Sequence, residues 1–238
     1  MEALTPPSRT RTRRELLKMV PLAAAGLLLT ERGRSWVVRS GLSLGDRASA
    51  LAFRSTHLAP TFDDREVTPL DRFPLNSYLA DDPGVDLEAW RLDISGLVQR
   101  TGEHTLAELR RLPKATQNTR HICIEGWDVV GNFAGVRLAE FLAHVGADTS
   151  AAFLEVRCAD DYYESIDMAS ACHPQSLLCY EMYGQPLSRG HGAPLRLVMP
   201  TKLGYKQAKY VVALSVTNVR APRRGYWEDQ GYPWYGGL

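Results

Sequence analysis

The cysteine at position 123 stands where a thiol could reach a ligand. β-Branched Ile122 and Ile124 flank Cys123, which favours a strand, and residues 125–127, Glu-Gly-Trp, favour a turn directly after it. The sulfur would then lie at the end of a strand, at the mouth of a pocket. Most free cysteines are small buried hydrophobic residues, whereas an accessible thiolate is a nucleophile or a ligand for a soft metal.

The other cysteines restrict the chemistry. The chain has four: Cys123, Cys158, Cys172 and Cys179. None of them forms a Cys-x-x-Cys pair, so a zinc ribbon, a thioredoxin-like site and covalent c-type haem attachment lack their signatures. The spacing is also not that of a disulfide framework.

Charge is segregated along a chain whose formal net charge is only +1. Residues 148–181 carry seven acidic side chains against one basic side chain, Arg157. Residues 182–227 carry eight Lys or Arg and no Asp or Glu. The basic block predicts an anionic ligand, with a solvated basic face as the alternative. Nucleic acid is not favoured, because no recognition module accompanies these charges.

Two loops in the basic block suit a phosphorylated, heterocyclic ligand. Residues 200–209 place three lysines, Lys202, Lys206 and Lys209, around Gly204, which allows close backbone approach. Upstream, His191 and Arg196 are five residues apart in a Gly- and Pro-containing turn. The Gly-x-x-x-x-Gly-Lys-Ser/Thr phosphate loop is absent, which argues against nucleoside triphosphate hydrolysis.

Local patterns predict an α+β fold of mixed β-sheets with short helices. Strands are expected at residues 90–94, 120–124, 153–157, 177–183, 195–199 and 210–219. Helices are expected at 105–109, where Thr105 is a good N-cap, and at 138–145. The order of these elements lacks regular βαβ alternation, so we expect one domain over residues 51–238.

The N-terminus resembles a twin-arginine export signal. Arg13 and Arg14 are followed by two leucines and Lys18, and then by the apolar run 19–29, which is too short to span a bilayer. Residues 1–50 are therefore predicted to be a signal peptide and linker, and the protein to be periplasmic after passing the twin-arginine machinery. A disordered basic tail with a short helix is the alternative.

Five ordered motifs give a more specific resemblance. They are Cys-x-Glu-Gly-Trp, Tyr-Tyr-Glu-Ser-Ile, Gly-Gln-Pro-Leu, His-Gly-Ala-Pro-Leu-Arg-Leu and Lys-x-Gly-Tyr-Lys-x-x-Lys. Together they resemble the sulfite oxidase superfamily of molybdopterin enzymes over residues 67–219. Within it they are most similar to the exported bacterial branch that includes catalytic subunits of periplasmic methionine sulfoxide reductases.

The resemblance implies a Mo-molybdopterin cofactor and assigns residues to it. Cys123 would be the protein ligand of molybdenum, and a soft thiolate suits that metal. The implied cofactor-binding residues are Phe73, Asn76, Cys158, His191, Arg196, Lys206, Gln207, Ala208 and Lys209. Of these, Phe73 and Asn76 match a loop that covers the cofactor, and Lys206 is a further phosphate contact.

One departure from the family bears on the substrate. Sulfite oxidases follow the metal cysteine with arginines that help to bind sulfite, whereas this chain has residues 125–128, Glu-Gly-Trp-Asp. Negative charge there disfavours an anion. We therefore expect two-electron oxygen-atom transfer with a small-molecule sulfoxide or N-oxide, and sulfite oxidation is the runner-up.

The implied mechanism needs a proton donor and an electron partner. Glu125 is the candidate acid or base, and Tyr163 and Trp127 are wall or donor residues. No haem or iron–sulfur motif is evident, so electrons would come from a separate protein, either a membrane haem protein or a soluble cytochrome. Two alternatives stay open: a cysteine hydrolase using Cys123 with His121 or Glu125, and a non-catalytic exported pterin-binding module.

Overall fold

A computed structural model describes residues 30–54, 56–77 and 82–238. The twin-arginine motif and the apolar run at residues 1–29 lie outside the described residues. The chain divides into two compact units, Met1–Gly45 and Asp46–Leu238. In the part of the chain that the structure describes, no helix is both long and apolar enough to cross a bilayer.

The described residues form two sheets joined by short helices, which confirms the predicted α+β class. The strands are β1 Leu92–Gly96, β2 Gly102–His104, β3 Lys114–Ile122, β4 Asp128–Arg137, β5 Phe153–Cys158, β6 Tyr163–Asp167, β7 Leu177–Met182, β8 Gln185–Pro186, β9 Arg196–Val198 and β10 Val211–Thr217. The α-helices are α1 Glu31–Ala52, α2 Leu106–Leu109, α3 Leu138–His144, α4 Met168–Ala171 and α5 Tyr226–Asp229. Single 3₁₀ turns are η1 Asp64–Glu66, η2 Leu70–Arg72, η3 Arg189–His191 and η4 Gly204–Lys206.

The first sheet has the strand order β2-β1-β10-β5-β6. Strands β1 and β10 are parallel, although more than a hundred residues separate them in sequence, and the other pairs are antiparallel. The larger apolar core is formed by buried side chains of this sheet and of α3, including Leu92, Phe141, Leu154 and Leu214, together with side chains of the second sheet such as Leu178.

The second sheet has the order β3-β4-β7-β8, and β9 also pairs with β7. All of its pairs are antiparallel. The last pair of the β3–β4 hairpin is Ile122 with Asp128, so residues 123–127 form the connecting loop. Two backbone bonds close it, from Cys123 N to Trp127 O at 2.9 Å and from Gly126 N to Cys123 O at 3.2 Å.

The sequence predicts the end of β3 correctly but not the strand that follows. Cys123 lies one residue beyond β3, as its β-branched neighbours and the following turn indicate. Strand β4 was not predicted, because its glycines and Asn132 read as loop residues, yet it is the central partner of both β3 and β7. Strand β6, which begins at Tyr163, was likewise not predicted.

The first part of the domain, residues 61–76, forms an arm that lies against the second sheet. Thr61 bridges Thr119, Phe62 N donates to Asn118 O at 3.1 Å, and Thr68 N donates to Val130 O at 2.9 Å. These bonds cover the outer edge of β3, which would otherwise present unpaired backbone groups. The arm then turns at η2 and carries Phe73 and Asn76 to the loop after β3.

Candidate active site

Loops from both sheets enclose a cavity of about 570 Å³. Cys123 lies on its wall and is 9% exposed. The lining side chains fall into a polar set and an aromatic set. The polar and small residues are Asn76, Ser77, His121, Cys123, Glu125, Asp160, Arg196, Gly204, Gln207, Ala208 and Lys209, the aromatic residues are Trp127, Tyr162, Tyr205, Tyr226, Trp227 and Tyr232, and Ile124 is an aliphatic lining residue.

An amide links the thiol to the neighbouring carboxylate. Asn76 Nδ2 lies 3.6 Å from Cys123 Sγ and donates to Glu125 Oε2 at 3.0 Å. Trp127 Nε1 donates to the same oxygen at 3.0 Å. Two neutral donors thus hold the Glu125 carboxylate beside the sulfur, and a carboxylate in this position can accept or deliver a proton at the cavity wall.

Part of the cavity lining is cationic. Arg196 is buried, and its Nη1 donates to His191 O at 3.2 Å. Its Nε atom is buried without a partner among the described residues. Lys209 Nζ donates to Gly190 O at 2.9 Å, and a Cβ on Gly192 would lie 2.8 Å from Lys209 Cβ. Glycine at 192 therefore allows the lysine stem to pass close to the backbone.

Two histidines lie beside these cations as neutral side chains. His121 Nδ1 is 3.2 Å from Gln207 Oε1, and burial, together with the charge of Arg196, lowers the pKa of His121 to about 3. Burial and the charges of Arg196 and Lys209 lower the pKa of His191 to about 4. At neutral pH both imidazoles are uncharged, so the ring nitrogen of His121 that does not face Gln207 can donate or accept one hydrogen bond to a heterocycle in the cavity.

Most of the predicted site residues come together. Those that line the cavity are Asn76, Cys123, Glu125, Arg196, Gln207, Ala208 and Lys209. Phe73 and His191 lie directly behind it: their rings are 5.1 Å apart, and Phe73 is 5.8 Å from the ring of His121. The thiol and the cationic residues, more than seventy positions apart in sequence, therefore share one cavity.

The prediction of Lys206 as a phosphate contact needs correction. Its side chain is 1% exposed, and its ammonium donates to Glu164, to Glu228 Oε1 at 2.6 Å and to Ser165 O at 3.0 Å. Three acceptors use all three of its protons. Lys202 is also buried, and its ammonium donates to Tyr235 O at 2.8 Å. Among the three lysines of this loop, Lys209 is therefore the one that lies on the cavity wall.

Two further predicted residues lie elsewhere. Tyr163 was predicted to be catalytic, but its hydroxyl donates to Asp229 Oδ2 at 2.7 Å under the guanidinium of Arg223, outside the cavity lining. Cys158 ends β5 in the larger apolar core, and burial raises the pKa of its thiol. Cys158 lies on β5 and Tyr163 on β6, and neither residue lines the cavity that contains Cys123.

Sequence reasoning missed most of the aromatic lining. Tyr226, Trp227 and Tyr232 come from a C-terminal segment that lies outside the motifs used for the family resemblance. His121 was considered only as a partner of a nucleophilic cysteine. The available signal was the density of aromatic residues near glycines at 225–232, a composition typical of a binding wall.

The residues present fit a pterin cofactor. Within residues 30–54, 56–77 and 82–238 no cluster of three His, Cys, Asp or Glu could hold a metal ion. A metal at Cys123 would therefore need further ligands from an organic molecule. The partnerless Nε of buried Arg196 and the charge of Lys209 suit the anionic part of such a molecule, and neutral His121 and Gln207 suit its ring.

Comparisons with known proteins agree with this donor set. Residues 79–227 match the family described as oxidoreductase molybdopterin binding domain. A relative from Azospira oryzae, provisionally named protein-methionine-sulfoxide reductase subunit YedZ1, is 49% identical and covers 78% of this chain and 70% of its own. The protein-methionine-sulfoxide reductase catalytic subunit MsrP of Ralstonia nicotianae is 29% identical, covering 92% of this chain and 72% of its own.

A solved structure shares the fold. The sulfane dehydrogenase SoxCD of Paracoccus pantotrophus superposes with a TM-score of 0.53 at 24% identity, covering 57% of this chain and 40% of that one. At this level of identity the likeness supports the fold alone. With the family match over residues 79–227 and the cavity built around Cys123, this chain belongs to the molybdopterin-binding oxidoreductases of the sulfite oxidase type.

Proposed function

We propose that this protein is an exported Mo-molybdopterin enzyme that reduces sulfoxides, with protein methionine sulfoxide as its leading substrate class. One observation carries the proposal: Cys123 and the cationic pair Arg196 and Lys209 lie on the walls of one cavity. The names of the relatives from Azospira oryzae and Ralstonia nicotianae support the choice of substrate.

The chain's residues divide between holding the cofactor and handling protons. Cys123 would ligate the molybdenum, and Arg196 and Lys209 would bind the phosphate and pterin. When bound, this cofactor supplies two-electron oxidation and reduction coupled to oxygen-atom transfer. Gln207 holds His121 at 3.2 Å, so the ring keeps a fixed orientation toward the cavity.

Proton delivery is assigned to Glu125. Reduction of a sulfoxide takes up two electrons and two protons, breaks the S–O bond and releases a thioether and water. The carboxyl group of Glu125 accepts bonds from Asn76 and Trp127 and is also exposed to solvent, so it can carry protons from water to the cavity wall. The electrons enter from a one-electron redox protein in two steps, for which a membrane haem protein or a soluble cytochrome is proposed.

The charge near the thiol argues against sulfite. Asn76 holds Glu125 beside the thiol, and the cations Arg196 and Lys209 are assigned to the cofactor. A dianionic substrate at the thiol would meet the Glu125 carboxylate without a compensating charge. A neutral sulfoxide experiences no such electrostatic repulsion.

The cysteine-hydrolase alternative is not favoured by the geometry. Its base would be His121, but that ring bonds to Gln207 and packs against Gly204, where a Cβ would lie 2.8 Å from Nε2. Glu125 stays available as its other base, so hydrolysis by metal-free protein would support this alternative. The non-catalytic module remains an outcome that the following experiment distinguishes.

The experiment compares two cysteine variants made in a host that synthesises molybdopterin. The wild type and Cys172→Ser, a half-buried thiol outside the cavity, should retain about one molybdenum per chain, and Cys123→Ser should retain none. Elemental analysis measures the metal, and viologen-linked reduction of methionine sulfoxide measures activity. Sulfite oxidation by the loaded wild type without sulfoxide reduction would establish the runner-up; metal binding unaffected by Cys123→Ser would refute the assignment. A wild type with neither molybdenum nor activity would indicate the non-catalytic binding module.

Export is tested separately. In a host with the twin-arginine pathway, the wild type should accumulate in the periplasm, and a variant with Arg13 and Arg14 both changed to Lys should remain in the cytoplasm. Equal periplasmic amounts of the two proteins would overturn the export proposal without affecting the enzymatic one.

A further inference from the structure

Four aromatic rings form a continuous face of the cavity, and we call them the aromatic wall: Tyr205, Tyr226, Trp227 and Tyr232. The ring centroids of Tyr226 and Trp227 are 5.3 Å apart, those of Trp227 and Tyr232 are 5.4 Å apart, and those of Tyr205 and Tyr232 are 6.0 Å apart. The interplanar angles of 87°, 73° and 57° are edge-to-face or tilted arrangements, which aromatic pairs prefer.

The wall is held in place by the fold rather than by a ligand. Helix α5 has four residues, too few to be stable alone. Its Glu228 is anchored on buried Lys206, and Asp229 N donates to Gly225 O at 3.0 Å. Tyr205 donates its hydroxyl to Pro233 O at 2.7 Å. The rings are therefore fixed before substrate arrives, which lowers the entropic cost of binding.

The wall runs from the interior to the surface. Tyr205 is 7% exposed, Tyr226 and Trp227 are half-buried, and Tyr232 is 41% exposed. A side chain that projects from a larger molecule can therefore enter along the rings while the rest of that molecule stays outside. A free ion or small polar molecule gains little from the outer rings.

The aromatic wall favours ligand groups that contain sulfur and apolar carbon. Sulfur of a methionine-like side chain makes favourable contacts with aromatic rings, and its methyl and methylene groups are removed from water there. The charged groups on the cavity wall that the proposed cofactor leaves available are Glu125 and Asp160, which disfavour anions.

We propose that the aromatic wall selects the substrate and that it takes the apolar side chain of a sulfoxide carried on a peptide. This inference rests on the proposed function and assigns the residues that recognise its leading substrate class. The wall supplies neither protons nor electrons. It acts by binding, so its removal should raise KM for a peptide sulfoxide more than it changes kcat.

The test uses the molybdenum-loaded enzyme and two sulfoxides with the same reacting bond. Trp227→Leu and Tyr232→Leu remove wall rings, and Trp234→Leu removes a partly buried ring outside the cavity lining. Each wall variant should lose roughly 2- to 10-fold in kcat/KM for a methionine sulfoxide peptide, through KM. Dimethyl sulfoxide, which is too small to contact the outer rings, should be affected less, and Trp234→Leu should match the wild type with both substrates.

A binding measurement separates this inference from the proposed function. Calorimetry with the corresponding methionine peptide, the thioether product, should show weaker binding to Trp227→Leu than to the wild type. If the wild type reduces neither sulfoxide but the product peptide binds in this wall-dependent way, the function fails and the wall assignment stands. Equal losses with both sulfoxides would overturn the assignment of the wall, and so would losses in Trp234→Leu. It would also be overturned if the product peptide did not bind, or if it bound Trp227→Leu as tightly as the wild type.

Discussion

Replacing Lys206 with methionine removes the cation from a buried group that also contains Glu164 and Glu228. Both carboxylates are 0–1% exposed at the side chain, and the Oε2 atom of each is buried without a partner among the described residues. Burial raises the pKa of Glu164, whereas the Lys206 ammonium opposes that rise. The two carboxylates outweigh the burial penalty on Lys206 and raise its pKa, so it is charged at neutral pH.

Methionine matches the length of the lysine stem but leaves two carboxyl groups facing each other. Removing one partner of a buried ion pair costs about 3–5 kcal/mol. For a domain of this size that corresponds to a fall in Tm of about 6–20 °C. The matched control is Lys114→Met, which breaks an ion pair with Glu181 that is 47% exposed on the lysine side and should cost less than about 1 kcal/mol.

The loss should also depend on pH. A carboxyl whose pKa is raised in the folded protein holds a proton that the same group has already released in the unfolded chain. Its stabilising contribution is therefore lost as pH rises through the pKa of the folded state. Without Lys206 the pKa of Glu164 rises further, so the deficit of the variant should be smaller near pH 5 than near pH 8. Urea unfolding of the wild type and both variants at the two pH values measures this. A Lys206→Met deficit within 1 kcal/mol of the Lys114→Met deficit, or one that grows at low pH, would refute the reasoning.

Three other predictions concern single residues. Gly204→Ala would place a Cβ 2.8 Å from His121 Nε2, so we expect lower molybdenum content with near-native circular dichroism; full metal loading would contradict the close-packing argument. Burial lowers the pKa of Lys202 to about 8. In urea unfolding, the free energy of unfolding of the wild type should therefore rise relative to that of Lys202→Met as pH increases from 8 to 10.5, and the same pH dependence in both proteins would contradict this prediction. Thr105 accepts from Glu108 N at 3.2 Å in a capping box, so Thr105→Ala should cost about 1 kcal/mol, and an unchanged urea midpoint would argue against the cap.

Local sequence chemistry predicted the features that depend on near neighbours. The end of β3 at Cys123 follows from two β-branched residues and a turn, and helix α2 follows from the Thr105 cap. Strand β4 was missed because its glycines lower strand propensity. Gly135 occupies a bulge where β4 pairs with β7, so its small size is needed for a partner that lies more than forty residues away.

The residue types and the order of the motifs were enough to identify the family, the proposed metal-binding thiol of Cys123 and the basic block of residues 182–227. They did not determine which basic residue faces the ligand, because Lys202, Lys206 and Lys209 have the same charge and nearly the same local setting. Tertiary structure decided that by bringing acceptors from distant segments: Glu164 of β6 lies 42 residues from Lys206 and neutralises it in the interior. A buried charge must be paired, and the partner that pairs it is set by the packing of the two sheets, which local patterns do not contain.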